Sequence, residues 1–211
     1  MKILIINGSP KLNGNTASCA NYLKDCFEKN NIEVEIYHLG NKNIHHCNAC
    51  GACYRNKNNR CIIDDDLNEL ITKVRMADGY VFGSPIHYSD ISGLMKNALD
   101  RLFYVAGANG NYFAHKVGSS YVCVRRSGGS NGFHTLNNYL LYSEMFIATG
   151  SYWNIIHGTI KQEALKDAEG INTLSAMANN MAYLMKVIDN STIEKPELQP
   201  KIVTNFIRED L

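Results

Sequence analysis

Short apolar runs alternate along this chain with longer stretches whose apolar residues fall on one helical face. Residues 2–7, KILIIN, carry four successive isoleucine or leucine side chains and stop at Asn-Gly-Ser-Pro, the pattern of a strand buried on both faces. Similar runs at 34–37, 79–82, 119–124 and 152–156 predict further strands. Between and after them, helical spacing recurs over 16–29, 67–76, 94–103, 136–148 and 171–188. This alternation, with right-handed crossovers, predicts an α/β fold: an open parallel five-stranded sheet with helices on both faces. Ligands of such sheets sit beyond the carboxyl ends of the strands. The informative loops are therefore GSPKLNGNT, the cysteine-rich segment, GSPIHYSDISG and RRSGGSNG, which follow the first four strands.

Composition narrows the function more than the fold. A chain of 211 residues that is 45% hydrophobic can bury one large core. Its net charge of +1 gives no field to draw in nucleic acid or an acidic membrane, so small molecules or other proteins are the expected partners. No apolar run reaches the roughly 18 residues of a membrane helix, and MKILIINGSP lacks the long apolar region of a signal peptide. A cytoplasmic chain is expected, where clustered cysteines hold metal more often than they form disulfides.

Residues 8–16, GSPKLNGNT, join the first strand to a helix. A helix start offers unpaired N–H groups and the positive end of a dipole, which suits phosphate. Ser9, Thr16 and Asn15 can add donors and Lys11 a charge. Gly14-Asn15-Thr16 lacks the Walker lysine, and Gly-x-Gly-x-x-Gly is absent, which counts against a triphosphate or a dinucleotide here. A single terminal phosphate remains, beside the plainer reading of a turn and a capped helix. In the third loop, Pro85 fixes the backbone beside a planar ligand's edge and Tyr88 can stack. His87 reads either as a proton donor or as an exposed loop histidine. Asp100 and Arg101 are expected to pair structurally or to meet a neighbouring subunit.

Together, GSPKLNGNT and GSPIHYSDISGLMKNALDR resemble the phosphate loop and the ring-cupping segment of the NADPH-dependent FMN reductase family of flavodoxin-like proteins. The resemblance implies a flavodoxin-like FMN-binding domain over 1–190 with strand order 2-1-3-4-5. A cysteine-rich insertion at 44–64 and a C-terminal arm at 191–211 complete the expected organisation. It further implies FMN, NAD(P)H as substrate, and chemistry at flavin N5 with no catalytic side chain assigned. Carried over by position, Ser9, Lys11, Asn13, Asn15 and Thr16 hold the phosphate, while Ser84, Pro85, Ile86 and Tyr88 line the isoalloxazine. Ser127, Gly128 and Gly129 let backbone approach the flavin. Arg125 or Arg126 is either a partner for the 2′-phosphate of NADPH or a solvated arginine.

Four of the seven cysteines, Cys47, Cys50, Cys53 and Cys61, lie in IHHCNACGACYRNKNNRC. By spacing alone they read as two disulfides, a zinc site, an iron-sulfur cluster or free thiols. Within the family, the spacing resembles that of iron-sulfur flavoproteins, which implies one [4Fe-4S] cluster on these four residues. The intervening residues are small, and Arg55, Lys57 and Arg60 can offset thiolate charge. His45 and His46 are weaker metal candidates, and Cys19, Cys26 and Cys123 read as core.

The leading function is therefore an FMN-dependent redox protein passing electrons between NAD(P)H or another donor and a small-molecule or protein acceptor, through the cluster. Two alternatives stand beside it: a quinone, azo or nitro reductase without a cluster, and a non-enzymatic redox sensor or carrier. A homodimer or homotetramer is expected, with aromatic residues of 104–113 as contacts.

Overall fold

The computed structural model describes residues 1–204. Strand β1 (Lys2–Asn7) lies between β2 (Glu33–His38) and β3 (Gly79–His87), parallel to both. A two-residue strand, β4 (Asp90–Ile91), folds back antiparallel on the end of β3. Next to β3 comes β5 (Val117–Val124), and two short strands, β6 (Phe146–Ile147) and β7 (Ile155–His157), pair with its beginning and its end.

The expected five-stranded sheet of order 2-1-3-4-5 is thus corrected to a seven-stranded one with path β2-β1-β3-β5-β6, β4 on β3 and β7 on β5. The four long strands take the expected order. The fifth strand expected at 152–156 is found only as the shorter β7, shifted to 155–157, and Tyr152 and Trp153 lie exposed before it. Strand β6 falls inside the helix expected over 136–148, which ends at Tyr142. There Glu144 takes a left-handed conformation without glycine to announce it. Meanwhile Leu140, Met145 and Ala148 keep an apolar rhythm across the break.

Alternation along β1 divides its side chains between two cores. Leu4 and Ile6 join Tyr80, Phe82 and Val122 against α3 (Leu67–Arg75), α4 (Gly93–Ala108) and α5 (Gly129–Tyr142). Ile3 and Ile5 join Val81 and Tyr121 against α1 (Asn15–Lys29) and α6 (Ala168–Asp189). Each fully buried side chain of this kind contributes about 1.5–3 kcal/mol, so the central strand anchors both layers. The remaining helix, α2 (Ala52–Asn56), is one short turn within the cysteine segment. Residues 191–204 run exposed without regular structure, and the rest of the expected arm lies outside the described residues. Among the described residues no helix is long and apolar enough to cross a membrane.

Candidate active site

The loop from β1 to α1 rests on its neighbours through backbone contacts that leave no room for side chains. Gly8 N–H donates to Gly83 O at 2.8 Å, and Ser92 Oγ donates to Gly8 O at 2.6 Å. The same hydroxyl accepts from Met95 N–H at 3.1 Å, capping α4, so one serine ties the first loop to the fourth helix. A Cβ on Gly8 would lie 2.6 Å from Met95 Cβ. Beneath the loop, Gly40 lies so close that a Cβ there would stand 2.6 Å from Ser9 O and 2.8 Å from Pro10 O.

Helix α1 begins after Gly14 with no side-chain cap, so its first-turn N–H groups lack the usual side-chain acceptor. Asn15 Oδ1 accepts from Ala164 N–H at 3.2 Å, which fixes the side chain and leaves its amide NH2 as a donor. A cleft of about 550 Å³ opens here. It is lined by Ser9, Lys11, Asn13, Asn15, Thr16, Pro85 and Ile86, and by His87, Cys123, Arg125 and residues 158–161. The lining contains three basic side chains, Lys11, Arg125 and Lys161, and no carboxylate. In a chain of net charge +1, that local excess suits an anion.

The structure thus gathers Ser9, Lys11, Asn13, Asn15, Thr16, Pro85 and Ile86 around one cleft. Ser84 is placed differently, fully buried beneath the loop, where its hydroxyl accepts from Ser92 N–H and donates to Pro85 O. Tyr88 is fully exposed at the tip of the β3–β4 hairpin and does not line this cleft. Tyr88 and Ser89 both have positive φ, the two-residue turn that matches strand twist. Ser127, Gly128 and Gly129 border a second cleft of about 350 Å³, with Arg126, Tyr152 and Trp153. Gly128, at φ +85°, packs on Ser89, joining the β5–α5 loop to the hairpin tip. Sequence reasoning missed Gly158, Thr159, Ile160 and Lys161, although the rule that ligands sit at strand ends applies equally to the loop after β7. Glu163 holds that loop by accepting from Thr159 and Ile160 N–H, and these bonds keep its carboxyl below the ordinary range.

All four clustered cysteines line one small cleft, together with Arg101, Tyr104 and Val105 from α4. Cys47 and Cys50 are exposed, Cys61 is half-buried and Cys53 is buried. Burial pushes the Cys53 thiol up. Among the described residues no three metal-ligating groups stand at metal-binding spacing, so the four sulfurs border the cleft without being drawn together. The segment is pinned from below by Asn68, which accepts from Cys61 N–H and donates to Cys61 O and Ile63 O. Asp100 and Arg101 do not pair with each other. Asp100 accepts from Lys96 and Tyr139, whereas Arg101, 1% exposed and so no surface contact, pairs with Asp65. As expected, Cys19 and Cys123 are core, their sulfurs 3.6 Å apart, with Cys123 also at the floor of the larger cleft; Cys26 is half-buried. The Cys123 contact and burial push the Cys19 thiol far up, so it stays protonated.

These features have counterparts in known proteins. The family model for NADPH-dependent FMN reductase matches residues 1–159. An iron-sulfur flavoprotein of Methanocaldococcus jannaschii is 27% identical over 197 residues, covering 88% of this chain and 98% of that protein. An FMN-dependent NADPH-azoreductase of Staphylococcus saprophyticus is 40% identical over 102 residues, covering 48% of this chain and 52% of that protein. The fold matches that of an archaeal flavodoxin with a TM-score of 0.57 at 15% identity, over 88% of this chain and 99% of the other. A chain with this fold and a family match across both the phosphate loop and the β3 loop is an FMN-dependent NAD(P)H oxidoreductase, and it belongs to the NADPH-dependent FMN reductase family.

Proposed function

We propose that this oxidoreductase seats the FMN phosphate in the 550 Å³ cleft and passes electrons onward through a [4Fe-4S] cluster held by Cys47, Cys50, Cys53 and Cys61. The observation that carries the flavin site is the uncapped start of α1 facing three basic side chains and no carboxylate. Ser9, Lys11, Asn13, Asn15 and Thr16 hold the phosphate; Pro85 and Ile86 give a rigid apolar wall to the ring system. Ser84 acts from beneath, by fixing that wall, and Tyr88 stands where a ring edge or a second subunit can meet it. Ser127, Gly128 and Gly129 form the far rim, with Arg126 as the guanidinium for the 2′-phosphate of NADPH. When bound, FMN supplies two-electron exchange with NAD(P)H and one- or two-electron exchange with an acceptor.

The donor chemistry of the cysteine segment fits a cluster. Four thiols border one cleft, and a buried arginine nitrogen beside them has no acceptor among the described residues. Arg55 donates to Cys50 O and so shapes the turn between two of the ligands. When bound, a cluster supplies single-electron steps beside the flavin. The full-length similarity to an iron-sulfur flavoprotein supports this reading. The exposed aromatic face of Tyr54, Tyr104 and Tyr142 around a cleft of about 290 Å³ supports a homodimer or homotetramer. Phe113, at 0% exposure, takes no part in it. In this reading the FMN-binding domain is 1–190, with a cysteine-rich insertion at 44–64 and an arm from 191.

A second reading, an azo, quinone or nitro reductase without a cluster, is favoured by the 40% identity to an azoreductase and by the open spacing of the four sulfurs. Anaerobic purification with iron and sulfide analysis and identification of the released flavin separates the two. The cluster reading predicts about four irons and four sulfides per chain with stoichiometric FMN. FMN without iron or sulfide after anaerobic reconstitution leaves the simple reductase.

A further inference from the structure

Helix α4 carries the guanidinium of Arg101 into the wall of the four-cysteine cleft. Its terminal nitrogens are fully engaged. Nη1 donates to Asp65 and His45 O, and Nη2 donates to Asp65 and Ile63 O. The third donor, Nε–H, is buried and has no partner among the described residues. Unpaired buried donors are rare, and a charged one is more demanding than a neutral one. The acceptors this cleft offers are sulfurs: Cys61 lies near enough to act electrostatically on the guanidinium, and Cys47, Cys50 and Cys53 line the same cavity.

We propose that Arg101 Nε–H is the hydrogen-bond donor to sulfur in this cleft, either the Cys61 sulfur or a sulfide of the bound cluster, and that this contact raises the cluster's reduction potential. The proposal rests on the cluster reading above. Asp65 and two carbonyls clamp the Nη end, so the guanidinium plane is held and Nε is presented without rotational freedom. Apart from Asn48, the rest of the wall is largely apolar, with Tyr104, Val105, Ile62 and Ile63, which strengthens a single charged donor. The reduced cluster carries one more negative charge than the oxidised one, so the donor stabilises the reduced form more. Arg101 is a positioning residue: it tunes the electron carrier and takes no electron itself.

Three anaerobically reconstituted proteins test this: the parent, Arg101→Lys and Asp65→Asn, each compared by thermal melting, iron and sulfide content and EPR-monitored redox titration. Arg101→Lys keeps a cation for Asp65 but has no planar Nε–H, and its midpoint potential is expected to move negative. Asp65→Asn keeps the Nε–H and removes a negative charge, so its potential is expected to stay or move positive. If the lysine variant matches the parent, or if both variants move negative together, the proposal is wrong while the cluster reading stands. If only the lysine variant fails to hold the cluster, the contact serves retention and the claim about the potential falls. If both variants lose it, the ion pair is scaffold alone and the proposal falls. A parent that takes up no iron or sulfide overturns the cluster reading and this proposal with it.

Discussion

Gly40→Ala is expected to weaken FMN binding by about 5- to 150-fold while leaving far-UV circular dichroism and the urea midpoint close to the parent's. The added Cβ would stand 2.6 Å from Ser9 O and 2.8 Å from Pro10 O, both backbone atoms of the phosphate loop. Such an insertion costs about 1–3 kcal/mol, which sets that range of affinity. Gly40 lies in a short turn, Leu39–Asn41, at ordinary negative φ, so alanine suits its own backbone and the strain passes to the loop above. Pro10 and Lys11 are exposed, so the loop yields outward rather than unfolding the core. A variant with parental FMN affinity, measured by fluorescence quenching of the flavin, would remove the β1–α1 loop from the binding site.

Arg101→Met is expected to lower stability by about 3–5 kcal/mol near neutral pH, because it leaves the Asp65 carboxylate buried without its cation. Both side chains are 1% exposed. Burial alone would raise the Asp65 carboxyl, but the Arg101 hydrogen bonds and the His45 and Leu67 N–H groups hold it below its ordinary value of 3.8. A folded value below the unfolded one means that the pair stabilises the protein fully above about pH 4 and loses this as the pH falls through the folded value. The gap between parent and variant in urea unfolding should therefore be widest near pH 7 and close below about pH 4. A gap that stays constant from pH 7 to pH 3 would show that Asp65 is not the group responsible.

What the sequence made legible was local. KILIIN announced a buried strand because four apolar β-formers cannot be satisfied on an exposed edge. GSPKLNGNT announced a candidate anion site because its donors are neighbours in the chain. The features that the sequence did not show depend on conformations that no residue type marked. Tyr88 and Ser89 make a turn that usually carries asparagine or glycine, and Glu144 breaks a helix whose apolar rhythm runs on. Tyr88 therefore stands fully exposed at a hairpin tip that the sequence did not show, and β6 stayed hidden inside an expected helix. Contacts across the chain were invisible in principle. Gly40 underlies Ser9 through the meeting of two loops, and Arg101 reaches Asp65 across 36 residues and a helix turn. The cysteine spacing grouped four thiols as a candidate ligand set, while the structure adds the arginine that shares their cleft.

The most direct test of the central claim compares FMN with riboflavin on the flavin-free protein by isothermal titration. The two ligands share the ring and the ribityl chain and differ only in the phosphate. If the uncapped start of α1, with Lys11, Arg125 and Lys161 around it, is the phosphate seat, FMN binds at least about 100-fold more tightly, since charged hydrogen bonds contribute about 1.5–3 kcal/mol each. Equal affinity for FMN and riboflavin would contradict the account.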